Sequence, residues 1–273
     1  MEKRSRSSSA RRKMAPDLLN SRSNMKNIIL AAGYATRLYP VTENFPKPLL
    51  EIGGSTILDR MLRDIDSIEG IDEHIIVSNH KFIAIFERWA EEARKRYRHP
   101  VTLIDDGSVT NETRIGAVKD LILALESRGV EDDVLVAAAD NVLDFSFRGF
   151  VDYFREKGTS LIMCHNEPDI AALRKTGVVC LDEHNRVLLM EEKPQEPRSH
   201  WAVPPFYIYR RADLPLIRQA VADGCKYDAP GNLAHYLTTR TVLHAWPMPG
   251  HRYDIGDVKS YERIKEQFAK DLK

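Results

Sequence analysis

The stretch "AAGYATRLYPVTENFPKPLL", Ala31 to Leu50, follows directly on the run Asn27, Ile28, Ile29, Leu30. A short apolar run ending in Ala-Ala-Gly reads as a buried strand entering a tight turn, where glycine lets backbone come close to a ligand. Backbone N–H groups in such a turn bind anions. Thr36, Arg37 and Lys47 follow within the same stretch. Arg37 and Lys47 then supply mobile cations to that site, and a polyphosphate is the first ligand to consider.

Downstream, strands and helices alternate. Ile57, Leu58, Met61, Leu62, Ile65 and Ile68 share one helical face, and the spacing predicts a helix over residues 56–68. "HIIVS" at 74–78 reads as a strand, 82–98 as a helix, "VTLID" at 101–105 as a strand and 115–126 as a helix. "DVLVAAAD" at 133–140 is a near-continuous apolar run ending in an acid. That alternation implies crossover units and a largely parallel sheet covered on both faces, with ligands at the carboxyl ends of its strands. Gly33 and Asp140 both fall there, so one crevice can hold both. Beyond residue 150 the runs at 159–166, 176–183, 186–194 and 203–210 read as strands with few helices between them. Residues 214–222 and 258–272 read as helices and "TVLHAWPM" as a further strand.

The chain has 273 residues with 40 Lys plus Arg against 40 Asp plus Glu, so its formal charge is zero, which argues against nucleic acid as the main partner. The first 24 residues carry seven basic and two acidic side chains, are Ser-rich and show no periodicity. They are expected to be a disordered basic leader, a vector-derived extension or an upstream translation start, with Met25 opening a single domain over 25–273. Residues 25–150, where strands and helices alternate, and 151–273, which are mostly strand, are expected to be its two halves. No run approaches transmembrane length and none resembles a secretory signal. Cys164, Cys180 and Cys225 are widely spaced and odd in number, which fits a reducing cytoplasm and indicates neither a disulfide framework nor a CxxC metal site.

The run "ILAAGYATRLYPVTENFPKPLLEIGG" resembles the opening of the sugar-1-phosphate nucleotidylyltransferases, the nucleoside-diphosphate-sugar pyrophosphorylases. "AAADN", "TGVVCLDEHNRVLLMEEKP" and "HRYDIGDVKSYERI" are similar to later motifs of that family in the same order, so the resemblance covers roughly residues 25–270. It implies a Rossmann-like three-layer α/β/α fold with a mixed, mostly parallel central sheet. It implies transfer of NMP from a nucleoside triphosphate to a sugar 1-phosphate with release of pyrophosphate, and Mg²⁺ as cofactor. Ala31, Ala32, Gly33 and Thr36 would meet the nucleotide; Arg37 and Lys47 would neutralise its phosphates. Asp140 and Asp254 would hold the metal. Asn141, Gly177 and Glu192 would meet the sugar, and Lys193 would pair with its phosphate. Arg37, Lys47 and Lys193 would be catalytic through charge, because the attacking oxygen is already an anion and needs no general base. The small-molecule partners are thus the nucleotide and the sugar phosphate, with a homo-oligomer as a further expectation and neither membrane nor nucleic acid involved.

The pattern departs from the family in places. Ala35 stands where the opening usually has glycine, which calls for a negative φ or a small strain, and Ala139 replaces another frequent glycine. The Gln-Pro segment that reads the base in thymidylyl enzymes is absent; "DDGSVTNETRIGAV" replaces it, with Asn111, Thr113 and Gly116 as candidate base contacts. "WAVPPFYIYRR" is bulkier than the usual strand beside the sugar. One alternative is a cytidylyltransferase acting on phosphocholine or a phosphonate, with Trp201, Phe206, Tyr207 and Tyr209 as an aromatic box; alternation along a strand favours core packing for these rings instead. A catalytically silent nucleotide-sensing relative is a second alternative, although every expected charged ligand is present. A P-loop is ruled out, because no Gly-Lys-Ser/Thr follows the glycine turn. His80, His165 and His251 lie near motifs and read as surface or packing histidines.

Overall fold

The computed structural model describes residues 24–270. The expectation of a basic leader therefore falls, but for its last residue, outside the described residues. β1 (Met25–Leu30) leads into the glycine turn, and a short hairpin, β2 (Glu51–Ile52) with β3 (Ser55–Thr56), returns the chain to α1 (Ile57–Asp66). The Thr56 hydroxyl caps α1 by accepting from the Asp59 N–H at 2.9 Å. β4 (Ile71–Ser78), α2 (Ile83–Arg96), β5 (Val101–Asp105), α3 (Ala117–Ser127) and β6 (Asp133–Ala138) continue the alternation. β7 (Asn141–Leu143), α4 (Arg148–Lys157), β8 (Ser160–Asn166) and the single-turn α5 (Ile170–Leu173) follow. Next come β9 (Gly177–Leu181), β10 (Val187–Glu192), β11 (Trp201–Val203) and β12 (Phe206–Tyr209). α6 (Leu214–Gln219), α7 (Pro230–Thr238), β13 (Leu243–Pro247), β14 (Arg252–Asp254) and α8 (Val258–Lys270) complete the described chain.

The central sheet runs in the order β10-β9-β11-β8-β12-β6-β1-β4-β5, with β13 also on β8. β1 pairs in parallel with both β4 and β6, and β4 with β5. β12 lies antiparallel between β6 and β8, and β11, β9 and β10 extend the antiparallel part. The sheet is therefore mixed, parallel around the glycine turn and antiparallel through most of the second half. Alternate residues of the central strands face opposite cores. Ile28, Ile75, Val77, Val134 and Val136 join α3, α6 and α7 on one side. Ile29, Ile76, Leu135 and Ala137 join α1, α2 and α4 on the other. Covering both faces is why these strands read as continuous apolar runs, and it makes the three layers.

Two differences from the sequence reading have local causes. The run at 203–210 is two strands, because Pro204 and Pro205 have no N–H to give to a ladder and the chain changes neighbours there. Two helices, α4 and α7, stand where few were expected. In α7, "PGNLAHYLT" mixes weak helix formers, and it is held by Leu233, Ala234 and Leu237 packing on the sheet.

Candidate active site

The glycine turn leaves β1 with the Ala31 N–H donating to the Val77 carbonyl at 2.9 Å, and the Asn79 side chain donates to the Ala32 carbonyl at 3.0 Å. Gly33 is not among the positive-φ glycines, and a Cβ there would meet nothing within 4 Å. Neither turn geometry nor protein packing demands glycine at 33, and the space beside it is open to the cleft that it lines. Ala35 takes the strained option: its φ is 48°. That left-handed backbone starts the 3₁₀ turn Thr36–Leu38, which carries Arg37.

Lys47 begins a second 3₁₀ turn after the extended Pro46. It is 6% exposed, and its Nζ lies 2.9 Å from Asp140 Oδ2. The Asn141 amide donates to the other Asp140 oxygen at 2.7 Å, and Arg252 donates to Asn141 Oδ1 at 2.8 Å. Buried Asn141 thus has both ends of its amide engaged in orienting Asp140. β14 pairs antiparallel with β7 so that Asp254 stands opposite Asn141, one residue from Asp140. Asp140, in the turn before β7, and Asp254, on β14, are both carboxylates, the oxygen donor type that a hard cation takes. Among the described residues no cluster of three or more His, Cys, Asp or Glu is arranged around a common point for a metal.

Lys47 and Asp140 open on one cleft of about 420 Å³ across the carboxyl ends of β6, β1, β4 and β5; Asn141, Arg252 and Asp254 are not in its lining, although Gly256, two residues after Asp254, is. Of the expected nucleotide residues, Ala31, Ala32, Gly33, Thr36, Arg37, Lys47 and Gly116 line it, together with Asp140. Asn111 lines a smaller adjoining cavity of about 310 Å³ that shares Arg114, Gly116 and Asp228 with the cleft. Thr113 is in neither lining; its hydroxyl donates to the Thr110 carbonyl and accepts the Thr110 N–H, closing its own loop. Asp106, Arg114 and Asp120 also line the cleft and escaped the sequence reading. Asp120 had a readable signal, since it lies on the apolar face of α3 with Leu121, Ala124 and Leu125, where an acid is out of place.

The expected sugar-phosphate residues stand apart from that lining. Glu192 ends β10 with its carboxylate between Gly177 and Gly231: a Cβ on Gly177 would come within 3.3 Å of it, and one on Gly231 would fall upon it. Burial pushes the Glu192 carboxyl up, with Lys193 opposing and Asp228 adding to the shift. Lys193 adopts φ 51°, is half exposed, and sits 3.8 Å from Glu192. Glu192 also borders a second cavity of about 500 Å³ that includes His235 and Arg240. Pro230, adjacent to Gly231, reaches the main cleft, so the start of α7 joins the two regions.

The suggested aromatic box does not form: Phe206, Tyr207 and Tyr209 are fully buried, and the last two stack with centroids 5.7 Å apart inside the core. His80, His165 and His251 are absent from the cleft lining. His80 and His251 pair instead with Asp105 and Asp144.

A sheet of this order, with its crevice at the carboxyl ends of parallel strands, is that of a Rossmann-like α/β protein. Within that class the chain belongs to the nucleotidyl transferase family, whose sequence profile it matches over residues 26–271. It is 25% identical over 254 residues to a glucose-1-phosphate adenylyltransferase of Fervidobacterium nodosum, covering 87% of this chain and 60% of that one. It is 22% identical to the UTP–glucose-1-phosphate uridylyltransferase AglF of Haloferax volcanii, covering 90% and 98%. The chain thus spans less than two thirds of the first relative and nearly all of the second. The fold is similar to that of a UDP-glucose pyrophosphorylase crystallised with UDP-glucose, with a TM-score of 0.74 at 20% identity over 91% of this chain and 99% of that one. A UTP-bound enzyme of Acinetobacter baumannii gives 0.72 at 16% identity over 90% and 93%. No helix among the described residues is long and apolar enough to cross a membrane.

Proposed function

We propose that the protein transfers a nucleotidyl group from a nucleoside triphosphate to a sugar 1-phosphate, forming a nucleoside diphosphate sugar and pyrophosphate. The observation that carries this reading is the Lys47–Asp140 pair, held 2.9 Å apart in the cleft that the open Gly33 turn also lines. The relatives that act on glucose 1-phosphate support it.

An oxygen of the sugar phosphate attacks the α-phosphorus in line. A new P–O bond forms as the bond to the β-phosphate oxygen breaks, and pyrophosphate leaves with that electron pair. The attacking oxygen is already ionised, so no proton need move, and positioning and charge neutralisation lower the barrier. Arg37 brings a planar fork to the triphosphate, while Lys47 brings a point charge to the α-phosphate from a buried, oriented position. Lys193 meets the phosphate of the second substrate, and Glu192 accepts from its hydroxyls. Asp140 and Asp254 would hold Mg²⁺, which when bound supplies charge neutralisation at phosphate oxygens.

Pyrophosphate release from the four ribonucleoside triphosphates, each with a panel of hexose 1-phosphates and with phosphocholine, tests the proposal. Release with a hexose 1-phosphate, abolished by EDTA and restored by Mg²⁺, is expected. Release with phosphocholine alone, or with none of the acceptors, overturns it.

A further inference from the structure

Asp120 lies in the first turn of α3, is 6% exposed, and lines the cleft. Its Oδ1 is buried with no hydrogen-bond partner. A buried polar atom left unpaired is costly and rare in a folded protein, so a partner arriving with a ligand is a direct explanation.

The position within the cleft says which part of a nucleotide could supply that partner. Asp140 follows β6, Asp106 follows β5, and β1 and β4 lie between those strands. At about 4.8 Å per strand the two ends of the crevice are roughly 14 Å apart. Lys47 and Asp140 mark one end; Asp106 and Asp120 interact at the other. Arg114 and Asp228 also line the cleft, and Arg114 donates to Asn111 at 2.8 Å. Lys47 and Arg37 draw the triphosphate to their part of the cleft, so the uncharged base belongs at the end that holds Asp120.

Burial, reinforced by the neighbouring Asp106, pushes the Asp120 carboxyl up to about 8, so at neutral pH it carries a proton. A neutral carboxyl offers one O–H donor beside one carbonyl acceptor. Every nucleobase carries the complementary pair on its Watson–Crick edge: N3–H and O4 of uracil, N6–H and N1 of adenine, N4–H and N3 of cytosine, N1–H and O6 of guanine. Gly116, one turn earlier, also lines the cleft; its φ is 96°, and a Cβ there would strike the Tyr227 carbonyl, so packing against Tyr227 holds this end of α3 in place.

We propose that Asp120 binds the base of the nucleoside triphosphate, pairing as donor and acceptor with its Watson–Crick edge. This rests on the nucleotidyl-transfer reading. The test measures dissociation constants at pH 7 for the nucleoside triphosphate that the wild type binds best and for ribose 5-triphosphate, which has no base. Asp120→Ala should weaken the nucleotide 10- to 100-fold and leave ribose 5-triphosphate within two-fold. Asp120→Asn, whose amide also pairs one donor with one acceptor, should restore most of the lost affinity. Both variants should keep the wild-type melting temperature or exceed it, because each removes a buried unpaired acid. Equal weakening of both ligands in Asp120→Ala marks a structural residue and overturns the inference. A loss in Asp120→Asn as large as in Asp120→Ala overturns the donor-acceptor pairing, since it would mean an ionised carboxylate accepting two N–H groups. Failure of the wild type to bind any of the four nucleotides would instead sink the functional reading itself.

Discussion

At the scale of single residues, Lys47 and Lys193 illustrate how one residue type is given two settings. Lys47 is buried and bonded to Asp140, so its ammonium is held in place before any substrate arrives. Lys193 is half exposed on a left-handed backbone, with Glu192 3.8 Å away. Ordering such a side chain costs entropy that the phosphate contact must offset. Lys47→Ala should lower kcat, because charge on the α-phosphate grows as the bond to pyrophosphate breaks. Lys193→Ala should chiefly raise KM for the sugar phosphate. Losses of about 2–4 kcal/mol are the scale set by removing one transition-state donor. Steady-state kinetics varying each substrate in turn checks this, and identical effects of the two changes on both substrates would contradict the division. Both positions stand out in sequence through their Pro-flanked motifs, and the structure places Lys47, but not Lys193, in the cleft lining. Asp106 was not legible, because a loop position joins a cleft only once the sheet brings other loops beside it, whereas Asp120 carried a signal as an acid on the apolar face of α3.

At the scale of elements, one buried polar chain ties β1, β4 and α1 to the loop entering β5. The Asn27 amide donates to His74 Nδ1 at 2.9 Å, so the neutral imidazole carries its proton on Nε2 and donates to Asp66 at 3.1 Å. Asp66 also accepts the N–H groups of Arg98 and His99. These hydrogen bonds outweigh burial and hold the Asp66 carboxyl below its ordinary range, whereas burial, the largest influence on His74, pushes that imidazole down. Both shifts act in the same direction. Asp66 contributes stability above the unfolded carboxylate pKa of about 3.9, lost as pH falls through its lower folded value. His74 must stay neutral, so below about pH 6.5 protonation favours the unfolded chain. The wild-type advantage in melting temperature over Asp66→Asn should therefore shrink as pH falls below about 4, whereas the raised carboxyl of Asp120 moves both proteins alike. Asp66→Asn should cost about 1.5–3 kcal/mol at neutral pH, the range for hydrogen bonds to a charged group. An advantage over Asp66→Asn that stays constant from pH 7 to 3 would contradict this account.

For the whole molecule, the antiparallel strand β12 joins what the sequence divides. It hydrogen-bonds to β6 of the first half and β8 of the second, and both large cores draw side chains from residues on either side of position 150. A sheet and two cores held in common predict one cooperative thermal transition for residues 25–270. Two well-separated transitions would show that the halves unfold independently. A bound nucleoside triphosphate at 100 times its dissociation constant should add about 2.7 kcal/mol, and it should raise that transition by roughly 5–10 °C for a chain of this length. Differential scanning calorimetry with and without nucleotide and Mg²⁺ measures both.

Strand-and-helix alternation, the family resemblance, and the order of the glycine turn, Lys47, Asp140 and Asp254 are readable along the chain, because strand runs and short motifs are local and each residue in them carries its own chemistry. The tertiary structure settled that Ala35 accepts a left-handed backbone and that "WAVPPFYIY" is two strands. It also settled that the Asn141 amide bonds to Asp140, and that Asp120 lines the cleft with one buried, unpaired oxygen. Each of these depends on which distant segment lies opposite, and that is set by how the sheet brings its strands together rather than by any local run of residues.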